Sequence, residues 1–183
     1  PAVLAALAIG GQQLMGFTRV WFGNRSDRIV PSRLRRTPFI VASSLSLALL
    51  FALACHLVRE LAAAMDASRD GAVLVLMGFL VLVFIGIGTA ISAGGTAFSA
   101  LIVDRTTEEE RPRVLSVVWA MRLFGVLVGS VLVNQVFGSA CAAGADTTAV
   151  LAGLGRLGVV TPLLLFGLGV VSVWGVERPN AAL

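Results

Sequence analysis

The chain has no lysine, no tyrosine and only one histidine among its 183 residues. It also has no Gly-Lys-Ser/Thr phosphate loop. Enzyme chemistry therefore lacks its usual parts, and no catalytic residue is assigned. Two cysteines, Cys55 and Cys141, stand without a CxxC or Cys/His pattern, so no metal site is expected. A disulfide between them is one reading and two free thiols packed as small apolar groups the other. Charge is scarce as well: 13% of residues, against about 25% in a soluble domain. The chain shows no interleaving of aromatic and basic residues of the kind that binds nucleic acid, so no nucleic-acid partner is expected.

Apolar residues are abundant. They make up 57% of the chain, and the mean hydropathy is +0.94. A 19.0 kDa globule cannot hide that much apolar surface, so a lipid bilayer must cover part of it. Five runs approach the ~20 residues that a helix needs to cross the hydrocarbon. They cover about 2–22, 38–58, 72–97, 114–137 and 157–176, and none contains Asp or Glu. Pro38 suits a first helical position. The third run continues without charge to Val103, so it must tilt or pass the membrane surface. The expected fold is an all-α membrane protein, a single domain over 1–183.

The arginines orient it. The breaks 23–37 and 104–113 and the tail after the fifth run share one side and carry nine arginines; the other side carries Arg59, Arg69 and Arg156. The positive-inside rule puts the nine-arginine side, with loops 23–37 and 104–113, in the cytoplasm. Pro1 then falls on the opposite side. The chain also lacks the basic leader of a signal peptide. One more helix upstream is expected, making these five helices two to six of something larger.

Small residues recur at spacing four: Gly86, Ala90 and Gly94 on the third run, Gly125 and Gly129 on the fourth. Such stripes let helix backbones approach in lipid, although glycine is also simply common there. Thr106-Thr107-Glu108-Glu109 fits a capping box with Thr106 as N-cap and Glu109 reaching back, which implies a helical turn before Pro112.

The first cytoplasmic loop reads Gly23-Asn24-Arg25-Ser26-Asp27-Arg28. It resembles the signature of the major facilitator superfamily between its second and third helices: glycine, three residues, aspartate, a basic residue. The usual Gly-Arg-Arg/Lys continuation is replaced by Val30-Pro31-Ser32, and the paired basics come late, as Arg35 and Arg36. That departure resembles the bacteriochlorophyll-synthase/PucC-type branch, with Arg19, Gly23, Ser26, Asp27, Arg35, Arg36, Pro38 and Phe39 in its pattern. The stretch from Gly95 to Asp104, followed by Thr106, Glu108, Glu109, Arg111 and Arg113-Val114, is similar to that branch's helix four to five junction. Together the two blocks frame roughly residues 1–130.

The resemblance implies the N-terminal half of a major-facilitator-type bundle, with a second six-helix half missing from this chain as a partner. It implies a role in delivering or inserting (bacterio)chlorophyll into light-harvesting or photosystem apoproteins, in a bacterial inner membrane or a photosynthetic (thylakoid or intracytoplasmic) membrane. A small-solute transporter of the same fold is the alternative. The absence of acidic residues from the five runs leans against proton coupling.

The resemblance also makes the loop of Gly23, Asp27, Arg28, Arg35 and Arg36 a clasp between the two halves. The competing reading is a solvated positive-inside loop worth little energy per ion pair. Arg122 lies nine positions after Arg113, roughly 13 Å along a helix. It is expected to face the bundle interior, with snorkelling as the alternative. Arg19, near a helix end, reads as snorkelling. Gln12 and Gln13 either line a cavity or hydrogen-bond between helices, and Asn134 and Gln135 are further polar residues at depth. No cofactor follows from the residues themselves. Were chlorophyll held, its magnesium would need one axial ligand such as His, Gln or Asn, and His56 sits near an interface where a lone histidine is ordinary. Asp27→Asn in the full-length protein is expected to impair function without stopping insertion; unaltered activity in that variant would retire the clasp.

Overall fold

The computed structural model describes residues 36–142 and 147–174, and every regular element among them is an α-helix. The helices are α1 (Thr37–Asp66), α2 (Asp70–Arg105), α3 (Arg111–Ala142) and α4 (Thr147–Val173). All four are long and apolar enough to cross a membrane. Of the five expected crossings, the run 2–22 lies outside the described residues.

The helices outlast the apolar runs that announce them. At ~1.5 Å per residue, the 36 residues of α2 span about 54 Å, well beyond a hydrocarbon core of about 30 Å. Helix α1 continues past Val58 through exposed Arg59 and Glu60 to Asp66. Helix α3 starts at Arg111 rather than 114, with Pro112 in its first turn, where a missing N–H costs nothing. Helix α4 starts ten residues before the expected 157 and runs through Arg156. Hydropathy falls where the hydrocarbon ends; backbone hydrogen bonding does not.

The α1–α2 link is only three residues long. Ser68 takes the left-handed conformation, with φ 51°. The Ser68 N–H donates to the Met65 carbonyl (3.0 Å) and the Arg69 N–H to the Ala64 carbonyl (3.0 Å). This is a Schellman ending in which a serine stands where glycine is usual. The Val73 N–H then donates to the Arg69 carbonyl (3.0 Å), and Asp70 lies in the first turn of α2, where its charge suits the helix dipole.

The described chain divides into two compact units. One contains α1, α2 as far as Ala100 and α4 from Leu157; the other runs from Leu101 to Arg156. In the first, close approaches define the registers. A Cβ on Gly94 would meet Ser43, with the Ser43 Cβ at 3.2 Å, and one on Gly86 would lie 3.1 Å from Leu50 Cδ1. Buried Ala54, Val83 and Ile87 form the core beside them, flanked by Leu47, Leu50, Leu57, Leu80 and Phe84. Rising numbers on α1 meet falling numbers on α2, so the two are antiparallel. Helix α4 is antiparallel to α1 as well: Gly158 faces Cys55, whose Cβ lies 3.0 Å from the site of a Gly158 Cβ, and Gly169 faces Ser44. The Arg36 end of α1, the Ala100 end of α2 and the Val173 end of α4 therefore lie together.

Pro162 falls inside α4. It removes the N–H that would bond the Gly158 carbonyl, so the helix is weakened at the turn that approaches Cys55. Outside these contacts the membrane-length stretches present mainly apolar side chains. In the most apolar 18-residue window of α3 and of α4 no residue is buried. Lipid is the solvent that such faces require. Gly94→Leu is expected to lower stability by about 1–3 kcal/mol through overpacking, read as a drop in melting temperature. Gly95→Leu, with nothing within 4 Å of its Cβ position, should stay within about 0.5 kcal/mol of the parent. Equal losses in both variants would refute the α1–α2 register.

Candidate functional site

The α1 sequence Ala42-Ser43-Ser44-Leu45-Ser46 places three hydroxyls within one helical turn. In lipid such hydroxyls satisfy themselves on the preceding turn. The Ser43 and Ser44 hydroxyls both donate to the Ile40 carbonyl, at 2.9 and 2.8 Å. On α2 the Thr89 hydroxyl donates to the Ile85 carbonyl (2.9 Å) and that of Thr96 to the Ser92 carbonyl (2.8 Å).

Two clefts flank the contact between Ser43 and the Ala90–Gly94 turn. One, of about 340 Å³, lies among α1, α2 and α4 and is lined by Ser43, Ser44, Leu47, Gly94, Phe98 and Ser172 with their neighbours. The other, of about 400 Å³, lies between α1 and α2, with Phe39, Ser46, Leu50, Gly86 and Thr89 in its walls. No titratable side chain lines either one. With their donors spent on carbonyls, Ser43, Ser44 and Thr89 offer only oxygen lone pairs. The clefts can seat an apolar ring or chain with a few hydrogen bonds; they hold nothing for acid–base chemistry. Among the described residues no group of three or more His, Cys, Asp or Glu could hold a metal ion.

The residues singled out from the sequence are dispersed. Gly86 and Gly94 lie where α2 approaches α1, and Ala90 is buried beside them. At Gly125 and Gly129 nothing lies within 4 Å of a Cβ position, so the second stripe meets no described neighbour. Of the loop residues only Arg36 is described. It is buried at the start of α1, its carbonyl accepting from the Phe39 and Ile40 N–H groups at 3.1 and 3.3 Å. Gly23, Asp27, Arg28, Arg35, Arg19, Gln12 and Gln13 lie outside the described residues. His56, Asn134 and Gln135 are exposed, and Cys55 is buried and free.

Arg122 is exposed on α3, and its guanidinium lies 5.0 Å over the Trp119 ring, one turn nearer the start of the helix. Long helical side chains lean toward the N-terminus, as this one does. One expectation changes: the capping box is one residue later than read. The Glu110 N–H donates to the Thr107 Oγ (3.4 Å), and Glu110 Oε2 accepts from the Thr107 N–H (3.3 Å) and hydroxyl (2.9 Å). The Thr106 hydroxyl is occupied behind it, donating to the Ile102 carbonyl (2.8 Å) in the last turn of α2, which ends one residue earlier at Arg105.

The serine contacts escaped sequence reading because only glycine and alanine were counted as small. Counting serine would have found Ser44 and Ala48 at spacing four on α1.

A family model described as PUCC protein matches residues 1–182. No curated protein and no solved structure matches the chain.

Thr107→Ala is expected to cost about 1 kcal/mol as a lost N-cap, whereas Thr106→Ala should cost less. Thermal melts of the two variants in one detergent decide it, and a costlier Thr106→Ala would return the cap to the earlier position.

Proposed function

The chain belongs to the PucC family, and from that membership we propose that it assists delivery of (bacterio)chlorophyll to light-harvesting or photosystem apoproteins, or assembly of those complexes, in a photosynthetic membrane. The observation that carries this reading is the family match over nearly the whole length of an integral membrane protein. The pigment enters as cargo. Ring-bearing apolar cargo suits the two clefts of the first unit, whose walls supply Phe39, Phe98, leucines and hydroxyl oxygens without a charge. His56 lines neither cleft, so axial ligation of magnesium is no part of the proposal.

In this reading the helices form part of a major-facilitator-type bundle. The end of the first unit that gathers Arg36, Ala100 and Val173 is the cytoplasmic one, because the arginine-rich connectors adjoin it. A small-solute transporter of that fold is the second reading. The absence of Asp and Glu from the five apolar runs speaks against a proton-coupled form of it, since proton relays through membranes use such groups.

Deleting the gene in its photosynthetic host is expected to lower assembled pigment–protein complex severalfold while leaving free pigment in place. The wild-type chain should restore it, and pigment should co-purify with the full-length protein. Undiminished complexes in the deletion strain, or energy-dependent solute flux in vesicles without pigment binding, would reverse the order of the two readings.

A further inference from the structure

Five hydroxyls line the two clefts of the first unit. Ser43, Ser44 and Ser172 border the three-helix cleft, and Ser43, Ser46 and Thr89 the cleft between α1 and α2. Four of the five have spent their donor. Ser43 and Ser44 share the Ile40 carbonyl, Thr89 bonds the Ile85 carbonyl, and Ser172 donates to the Gly169 carbonyl at 2.8 Å. Ser46 is the exception. Its hydroxyl makes no hydrogen bond with a described residue, although the Ala42 carbonyl stands one turn back, where a helical serine usually bonds.

The place of this hydroxyl makes the exception matter. Ser46 lies nine residues after Thr37, about 14 Å along α1, in a stretch without Arg, Asp or Glu as far as Val58. At such a depth water does not serve a free donor, and leaving one unmet is costly. The approaches of Ser43 to Gly94 and of Leu50 to Gly86 bracket Ser46, which puts it at the level of Thr89 and Ala90 in the same cleft. Phe39 supplies a ring to that wall.

The pigment has the complementary chemistry. Ketone and ester oxygens at the edge of its ring only accept hydrogen bonds, and magnesium replaces the inner N–H groups. A spent hydroxyl offers such oxygens nothing; a free one does. On the reading that the cargo is this pigment, we propose that Ser46 donates a hydrogen bond to a carbonyl oxygen at the edge of a (bacterio)chlorophyll ring seated in the α1–α2 cleft. Ser46 is then the residue that distinguishes a carbonyl-bearing ring from plain hydrocarbon, because an apolar molecule in its place leaves the donor unpaired. At about 400 Å³ the cleft is near the small end of ligand sites, so it takes that edge of the macrocycle and leaves the remainder to the surroundings.

Carbonyl stretching bands report the bond directly. The full-length protein in detergent is titrated with bacteriochlorophyll a, and vibrational spectra are taken of the bound pigment. One ring carbonyl band is expected at lower frequency than in free pigment in the same detergent. Ser46→Ala should return that band to its free position and weaken binding severalfold, by about tenfold at most. Ser46→Thr keeps the hydroxyl and should keep the shift. Ser99→Ala should match the parent, since the Ser99 hydroxyl bonds the Gly95 carbonyl and lines neither cleft. A bound pigment with no shifted band, or a shift that survives Ser46→Ala, overturns the proposal and leaves the pigment reading standing. A parent protein that binds no pigment overturns both.

Discussion

In lipid, burying an apolar side chain against another helix gains nothing from the expulsion of water, because the hydrocarbon is as apolar as leucine. Helices must then be held by close approach of their backbones and by polar groups that cannot be satisfied elsewhere. The first unit follows this constraint at four points. Gly86 admits Leu50, Gly94 admits Ser43, Gly158 admits Cys55 and Gly169 admits Ser44. Three of the four partners on α1 are themselves small, and both serines bond back to the Ile40 carbonyl, so no stray donor is offered to the lipid. The clefts follow from the same choice: small side chains that bring backbones together at one turn leave room at the next.

The gross architecture was legible because hydropathy needs only composition. Four of the five runs coincide with described helices, since nothing but a helix satisfies its own backbone across a bilayer. The ends were not legible. Apolarity reports depth in the membrane, whereas the end of α1 is set by the left-handed turn at Ser68, which no glycine announced. The capping box went astray for a related reason. Thr106 and Thr107 are chemically equal, and only the last turn of α2, which claims the Thr106 hydroxyl, leaves Thr107 to cap. Spacing-four stripes were half informative. Gly86–Gly94 has α1 opposite it and Gly125–Gly129 has no described neighbour, because a stripe states what a helix can accept and not what stands across from it.

The candidate site divides in the same way. The arginine-rich loop stood out by its motif, yet apart from Arg36 it lies outside the described residues. The clefts had no motif, being made of serine, glycine and alanine that read as filler in one dimension. Antiparallel pairing of α1 with both α2 and α4 brings those residues to one level, a relation that no local window contains.

Charge placement bears on what such clefts can select. Along α2 no charge interrupts the stretch between Asp70 and Asp104, and neither cleft has a titratable group in its walls. Discrimination there must come from shape and a few hydroxyl oxygens, and one added or missing methylene in such a pocket is worth only about 1–3 kcal/mol. That suits large apolar cargo, whose many contacts add up, better than a small polar solute, which needs its hydrogen bonds matched one by one. Arg59 and Glu60 of α1 and Arg156 of α4 are exposed, and the Arg122 guanidinium stacks on the Trp119 ring of its own helix. Clefts without charge and an arginine stacked on a ring of its own helix are therefore two consequences of one rule: in hydrocarbon, a charge is tolerated only where a partner or the interface is within reach.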